Sequence, residues 1–439
     1  MAAREVLFLA VLAASAGAIP PLALISRLVD QCRWYHNVRR APGRSVDLTV
    51  RRNDTAFASS AVTRNQIATA DSIDSIGVAA GHPVHDAIAQ LPDDKALIRR
   101  SFDQLSGDIR ASAKTALIED SQFVRDAAGD RMRAAFGGVA ASSLPVMAFA
   151  TDGAVLAPVT TERPAFWGQG FGAWGQTNGD NNAAALKRST GGFLMGADAS
   201  ILDGWRFGVI VGYSRTSFSA KDHASTGSSD NYHAGVYGGT IWQVPGGVLG
   251  LRTGLAYTWH DSTTSRSVTF LGFGDRLRGR HDAGTFQTFG ELGYRIDTNV
   301  AAFEPYANLA HVSLRSDGFA ERGGAAALYG AGQTTDTTFT TLGLRASSSV
   351  ALAGLDLVAR GTLGWRHAFG ETTPLSTQAF SAGNAFSVAG VPIARNAAVV
   401  EAGLDLKLTP QATISLSYEG QLANIANQHG VSANFNVRF

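Results

Sequence analysis

Few residues of this chain stand at spacings that chemistry requires. Gly170-Phe171-Gly172-Ala173-Trp174-Gly175 matches G-x-G-x-x-G, which cradles a phosphate when it joins a strand to a helix. No helix follows it and no βα unit precedes it, so the glycines read as room for a strand to bend or pack closely. No G-x-S-x-G elbow presents a serine nucleophile. His233, His260, His311 and His367 are scattered at no metal-ligand spacing. The single cysteine, Cys32, excludes an internal disulfide and a cysteine-built metal centre within one chain. The expectation is no catalytic residue, no metal and no cofactor.

What remains is architecture. The chain has 439 residues, of which 17% are charged and 49 are glycine; the charge is low and the glycine high for a soluble domain. Thirty-seven basic against 36 acidic groups leave a formal charge of +1, and no dense basic run suggests nucleic acid. No stretch of about 20 apolar residues offers a helical membrane span. Low charge, abundant glycine and no helical span favour a membrane β-barrel.

Three regions follow one another. At the amino terminus, Arg4 precedes the apolar run Val6 to Ala13 and the small residues Ala16-Gly17-Ala18. Residues 1–18 therefore fit a secretory signal, and equally a fortuitous apolar start. Residues 19–84 are weakly patterned, with one short strand marked by the alternation of Val46, Leu48 and Val50 with Asp47 and Thr49. Residues 85–164 form a helical junction and linker. Pro92-Asp93-Asp94 makes a good helix start, and Leu97, Ile98, Phe102 and Leu105 form an apolar stripe. Ser106-Gly107-Asp108 breaks the helix. A second helical segment runs from about Ile109 to Phe136, and residues 137–164 read as a linker rich in Ala, Gly, Ser and Pro.

From Ala165 onward the period is two, giving roughly twelve strands. Phe207, Val209, Val211 and Tyr213 alternate with Arg206, Gly208, Ile210 and Gly212; Leu255, Tyr257 and Trp259 face away from Arg252, Thr258 and His260. At the end of the chain Val431, Ala433, Phe435, Val437 and Phe439 share one face, and Ser432, Asn434, Asn436 and Arg438 the other. One oily and one wet surface per strand suits a wall with lipid outside and water inside. A soluble sandwich would bury the oily face, but these strands are long for a soluble domain. Connections at Leu202–Gly204, Pro245–Gly247, Asp297–Ala301 and Thr409–Gln411 are tight. Those at Lys221–Ser228, Ser262–Arg280, Gly318–Gln333 and Thr372–Val391 read as long, an alternation typical of periplasmic against exterior ends. Trp205, Trp242, Trp259 and Trp365 suit interfacial girdles.

The chain from about Leu48 to Phe439 resembles the carboxyl-terminal translocator of type V autotransporters. Four stretches carry the likeness. Asp47 to Phe57, followed by Thr63-Arg64-Asn65-Gln66, is similar to the end of a passenger. Asp103-Gln104-Leu105-Ser106-Gly107-Asp108 is similar to the helical junction before the barrel. Phe166 to Gly175 resembles the family's first strand. Phe435, Val437 and the terminal Phe439 resemble the membrane-assembly signal.

The resemblance implies an all-β membrane protein: a 12-stranded antiparallel up-and-down barrel over residues 165–439, preceded by a helical plug. Residues 19–84 would be a passenger remnant, short for a family that usually carries a much longer one. A helix is about 10–12 Å across, so one Ala-rich helix over about 113–136 would roughly fill the lumen. Arg125, Arg131 and Arg133 of that helix are expected to approach lumen acids drawn from Glu291, Glu401, Asp405 and Glu419. Some relatives cut their own passenger with an Asn in this helix; no Asn lies there, and Asn181-Asn182 falls near a strand turn. The implied function is export of the chain's own passenger to the surface of a Gram-negative cell. A small-solute porin or a structural outer-membrane barrel is the alternative, set apart by the helix, since porins normally begin directly with strands. Implied partners are outer-membrane lipid, the barrel-assembly machinery and periplasmic chaperones; no nucleic acid is expected, and the barrel should be a monomer.

Overall fold

A computed structural model describes residues 34–40, 46–52, 55–141, 146–150, 153–352, 355–409 and 412–437. Residues 1–18, read as a candidate signal, lie outside them, as does Phe439. Of Phe435 and Val437 the backbone alone is described, opposite Ile414 and Ala412.

Alternation of small or branched residues with polar ones produces twelve long antiparallel wall strands: β1 Ala165–Thr177, β2 Leu186–Leu202, β3 Trp205–Ala220, β4 Ser225–Val244, β5 Gly247–Phe270, β6 Phe273–Asp297, β7 Ala302–Ser316, β8 Gln333–Leu352, β9 Leu355–Gly370, β10 Asn396–Thr409, β11 Ala412–Leu422 and β12 Ala426–Val437. Each pairs with its neighbour in sequence, and β12 returns to β1 with Ala426 opposite Thr177, closing the barrel. Closure is what removes sheet edges.

Val209, Leu255, Trp259, Leu363, Trp365 and Leu416 are exposed on the outer face, while Arg206, Arg252, Thr258, His260 and Arg366 are buried on the inner one. A large apolar side chain left outside is unfavourable in water and favourable in hydrocarbon, so the wall matches a bilayer. Trp205 and Trp242 meet edge to face, 6.3 Å between centroids, beside the short turns.

One expectation needs correcting. Ser262–Arg280 is not a loop: β5 and β6 run 24 and 25 residues and turn at Leu271-Gly272. A tilted strand crosses hydrocarbon in about 9–11 residues, so this hairpin stands well clear of the membrane. Lys221–Ser228 likewise shortens, since β4 starts at Ser225. Polar composition looked like loop, yet cross-strand pairing satisfies the backbone whatever the side chains are.

Five helices precede the wall: α1 Arg64–Ile76, α2 Pro83–Ala89, α3 Lys95–Ser106, α4 Ile109–Asp120 and α5 Gln122–Ala135. Thr63 and Gln66 form a reciprocal capping box at the start of α1, a Thr-x-x-Gln signal. Asp94 accepts from the amides of Ala96 and Leu97 to start α3. Gly107, at φ +65°, ends α3 in the left-handed conformation that spares a Cβ penalty. The stretch 19–84 therefore holds more helix than its weak pattern suggested.

The apolar faces of α1, α2 and α3 share a core with the wall's outer protrusions: Phe57, Ile73, Ile88 and Phe102 pack with Val268, Phe270, Leu277 and Phe380. This unit caps the long-loop end of the barrel and spans the position 84/85 at which the sequence suggested a boundary. Ser121 keeps helical backbone angles, so α4 and α5 form one rod of about 40 Å at 1.5 Å per residue. It begins four residues before the expected Ala113.

Candidate functional site

The functional site is the lumen and the helix within it. Every residue of α4 is buried, including Arg110, Lys114, Glu119 and Asp120. Charge at such depth must be paired, and the wall supplies the partners at three levels.

At the outer mouth, Glu321 accepts from Arg110 at 3.0 Å and from Arg266 at 2.8 Å, while Arg266 also donates to the carbonyl of Gln104 at 2.8 Å. Lys114 donates to the carbonyl of Leu375 at 2.6 Å, and the Thr115 hydroxyl to that of Val391 at 2.5 Å. The loop carrying Gly390 lies directly on the helix: a Cβ there would collide with the backbone of Ala111 and Ser112. Asp108 meets the His223 ring at 2.9 Å and accepts from the Ala184 amide at 3.1 Å. Burial disfavours protonation of His223, but the hydrogen bond and charge of Asp108 outweigh it and raise its pKa above the usual 6.5.

At the waist, Arg188 bridges to Glu119 at 2.7 Å and the Thr216 hydroxyl donates to Asp120 at 2.8 Å. Gln287 donates to the carbonyl of Ser121 at 3.0 Å and accepts from Arg125 at 3.3 Å. That clamp sits on the junction between α4 and α5. Beside it, Arg252 and Arg345 interleave with Glu291 and Glu304 at 2.8–2.9 Å, a wall-only cluster across β5 to β8.

At the base, Asp198 is a hub. Arg131 of α5 grips it with two bonds of 2.6 and 2.7 Å; Arg206 donates to it as well, and the Tyr237 hydroxyl donates at 3.1 Å. Trp167 donates to Tyr237 in turn at 2.7 Å. Arg131 also reaches the carbonyl of Val159, and Arg206 those of Thr161 and Arg163. One carboxylate thus ties the plug, the linker leading to β1, and strands β2, β3 and β4.

Arg125, Arg131 and Arg133 all lie in the lumen, and Arg133 lines one cavity with Glu291, Glu401 and Glu419, but the described hydrogen bonds of the three arginines go elsewhere. Arg125 goes to Ser121 and Gln287, Arg131 to Asp198, and Arg133 to Asp130 of its own helix at 2.6 Å. Glu291 is held by wall arginines; Asp405 pairs with Arg360 at 2.9 Å and Glu401 accepts from Thr362 at 3.0 Å. Glu401 and Glu419 line a cavity of about 130 Å³ together with Asp126, Asp130 and Arg133. Two of the nominated acids are satisfied by arginines one strand away: Glu291 lies directly opposite Arg252 on β5, and Asp405 on β10 pairs with Arg360 on β9. Asp198 was missed. Its signal was the one acid of β2, on the inward face that also carries Arg188.

A closed wall apolar outside and charged inside, threaded by a helix, defines an outer-membrane translocator barrel. Residues 166–419 match the family described as "Autotransporter beta-domain". The chain belongs to that family, and its barrel is the domain that exports a passenger across the Gram-negative outer membrane. Two proteins of Serratia marcescens, each named "Extracellular serine protease", are 35% and 36% identical over 363 residues, 82% of this chain and 33% of theirs. The chain thus spans about a third of the length of these curated relatives. In fold it is similar to the translocator domain of autotransporter NalP from Neisseria meningitidis, with a TM-score of 0.51 at 16% identity, covering 73% of this chain and 98% of that one.

Proposed function

We propose that the arrangement is the state reached after export, with upstream chain outside, the α4–α5 rod left in the lumen as a plug, and α1–α3 as an external lid. The carrying observation is polarity. The rod enters at the long-loop end, where Asp108, Arg110 and Lys114 are bound by exterior loops, and leaves at the short-turn end, where Arg131 is bound by Asp198. A strand-built wall with a helix pinned along its whole length favours a passage for its own polypeptide over a solute pore. Around the rod the lumen keeps cavities of about 130 and 360 Å³.

In this reading residues 55–106 are the lid, 109–135 the plug, and 165–437 the barrel. Catalysis is absent from all three, and an activity such as the proteolysis in the relatives' names would reside in a passenger joined upstream. Partners follow from the wall and the terminal strand: lipid, the assembly machinery that recognises Phe435, Val437 and Phe439, and chaperones before insertion. The barrel works as a monomer.

Protease shaving of intact cells tests the reading. Trypsin should cleave at Arg64 or upstream of it without opening the outer membrane, leaving the barrel intact. Protection of that segment in whole cells, with cleavage on permeabilisation, would place it in the periplasm and overturn the proposal.

A further inference from the structure

The last and first wall strands do not complete their ladder. β12 pairs with β11 as far as Val437 opposite Ala412. Its pairing with β1 starts at Ala426 opposite Thr177 and stops at Val431 opposite Gly172. Continued in that register, Ser432 would meet Phe171 and Val437 would meet Phe166. Among the described residues those pairs are not made, although β1 runs on down to Ala165.

Another segment occupies the lower end of that edge. Val146–Ala150 and Gly153–Ala157 form a small antiparallel hairpin in the linker between plug and wall. It places Met147 opposite Phe166 and Ala148 opposite Ala165. Met147, Phe149 and Val155 are exposed, as a lipid-facing strand requires, while Val146 and Ala148 are buried. A cavity of about 360 Å³, lined by Met147, Trp167, Gly170, Glu419 and Val431 among others, opens between hairpin, β1 and β12.

A strand has only two edges. The other edge of β1 is filled by β2 from Ala165 opposite Asp198 to Thr177 opposite Leu186. Phe166 therefore faces Met147 or Val437, never both. We propose that the hairpin and the end of β12 compete for the lower end of β1 at Phe166, which makes the seam a two-state device. In one state the hairpin straps the edge and the seam is unzipped below Val431. In the other, Ser432–Val437 complete the ladder and the hairpin is released towards the periplasm. Unpaired backbone is costly at membrane depth, so whichever strand covers Phe166 gains by doing so. Because the hairpin lies between α5 and β1, the exchange also changes the length of tether between plug and wall.

Paired cysteines in the full-length chain, in outer membranes and with Cys32→Ser, read the two states. Met147→Cys with Phe166→Cys reports the strapped seam, and Phe166→Cys with Val437→Cys the zipped one. Both should cross-link in part. Replacing residues 146–157 by a Gly–Ser segment of equal length should raise the second cross-link several-fold. Heat-modifiable mobility confirms that each variant has a folded barrel. In folded barrels, absence of the first cross-link, absence of the second even after replacement, or a second that the replacement leaves unchanged would each overturn the competition.

Discussion

Asp198→Asn is the most searching perturbation of the plug, because it keeps the side chain's shape and removes only its charge. The native carboxylate is fully buried and satisfies two arginines and a tyrosine. Taking one partner from a buried, hydrogen-bonded ion pair costs about 3–5 kcal/mol, since the other charge is left uncompensated. Arg131 and Arg206 keep their carbonyl acceptors on Val159, Thr161 and Arg163, and the amide oxygen of Asn still accepts. The lower end, about 3 kcal/mol, is therefore expected, roughly a hundredfold in the equilibrium between docked and released plug. Single-barrel conductance in planar bilayers measures that equilibrium as the fraction of time in a high-conductance state. Arg215→Ala is the control: Arg215 and Asp230 form an exposed pair at 3.1 Å on the outer surface, where an ion pair contributes little, so conductance should not change. A heat-modifiable Asp198→Asn barrel with the closed-state occupancy of the native chain would show that the hub does not hold the plug.

Three further expectations follow from other parts of the molecule. The raised pKa of His223 implies that its contact with Asp108 stabilises the outer mouth fully below the unfolded value near 6.5 and loses that contribution as pH rises through the higher folded value. Amide exchange at Ala184 should therefore quicken with pH beyond its intrinsic dependence, and His223→Gln should abolish the excess. Gly390→Ala forces the exterior loop off α4, costing about 1–3 kcal/mol as overpacking does; a lowered denaturation midpoint of the outer mouth with an intact barrel band would be observed, and an unchanged midpoint would contradict the close approach. Phe439→Ser, or a polar tail after Phe439, should lower the amount of folded barrel in the outer membrane; equal amounts by heat-modifiable electrophoresis would show that the terminal aromatic is dispensable.

The sequence by itself determined the barrel, its even strand count, the sidedness of each strand and the presence of a helix before the first one. Those features rest on local rules: a period of two sets which side chains face lipid, and capping residues such as Asp94 set where helices start. Loops were less legible, because a polar strand such as Arg276–Arg280 has only Leu277 and Gly279 on its buried face and so carries little apolar periodicity. Partners were decided only by tertiary structure. Whether Glu291 meets Arg131 or Arg345 depends on strand register, and a shift of one residue turns every side chain to the other face. The α1–α3 lid was equally hidden, since its apolar stripe finds its core in Val268, Phe270 and Phe380, far away along the chain. Electrostatic pairing in a lumen is largely a property of closure: Asp198 takes Arg206 from its own hairpin, but acquires Arg131 only when the wall curves round the helix.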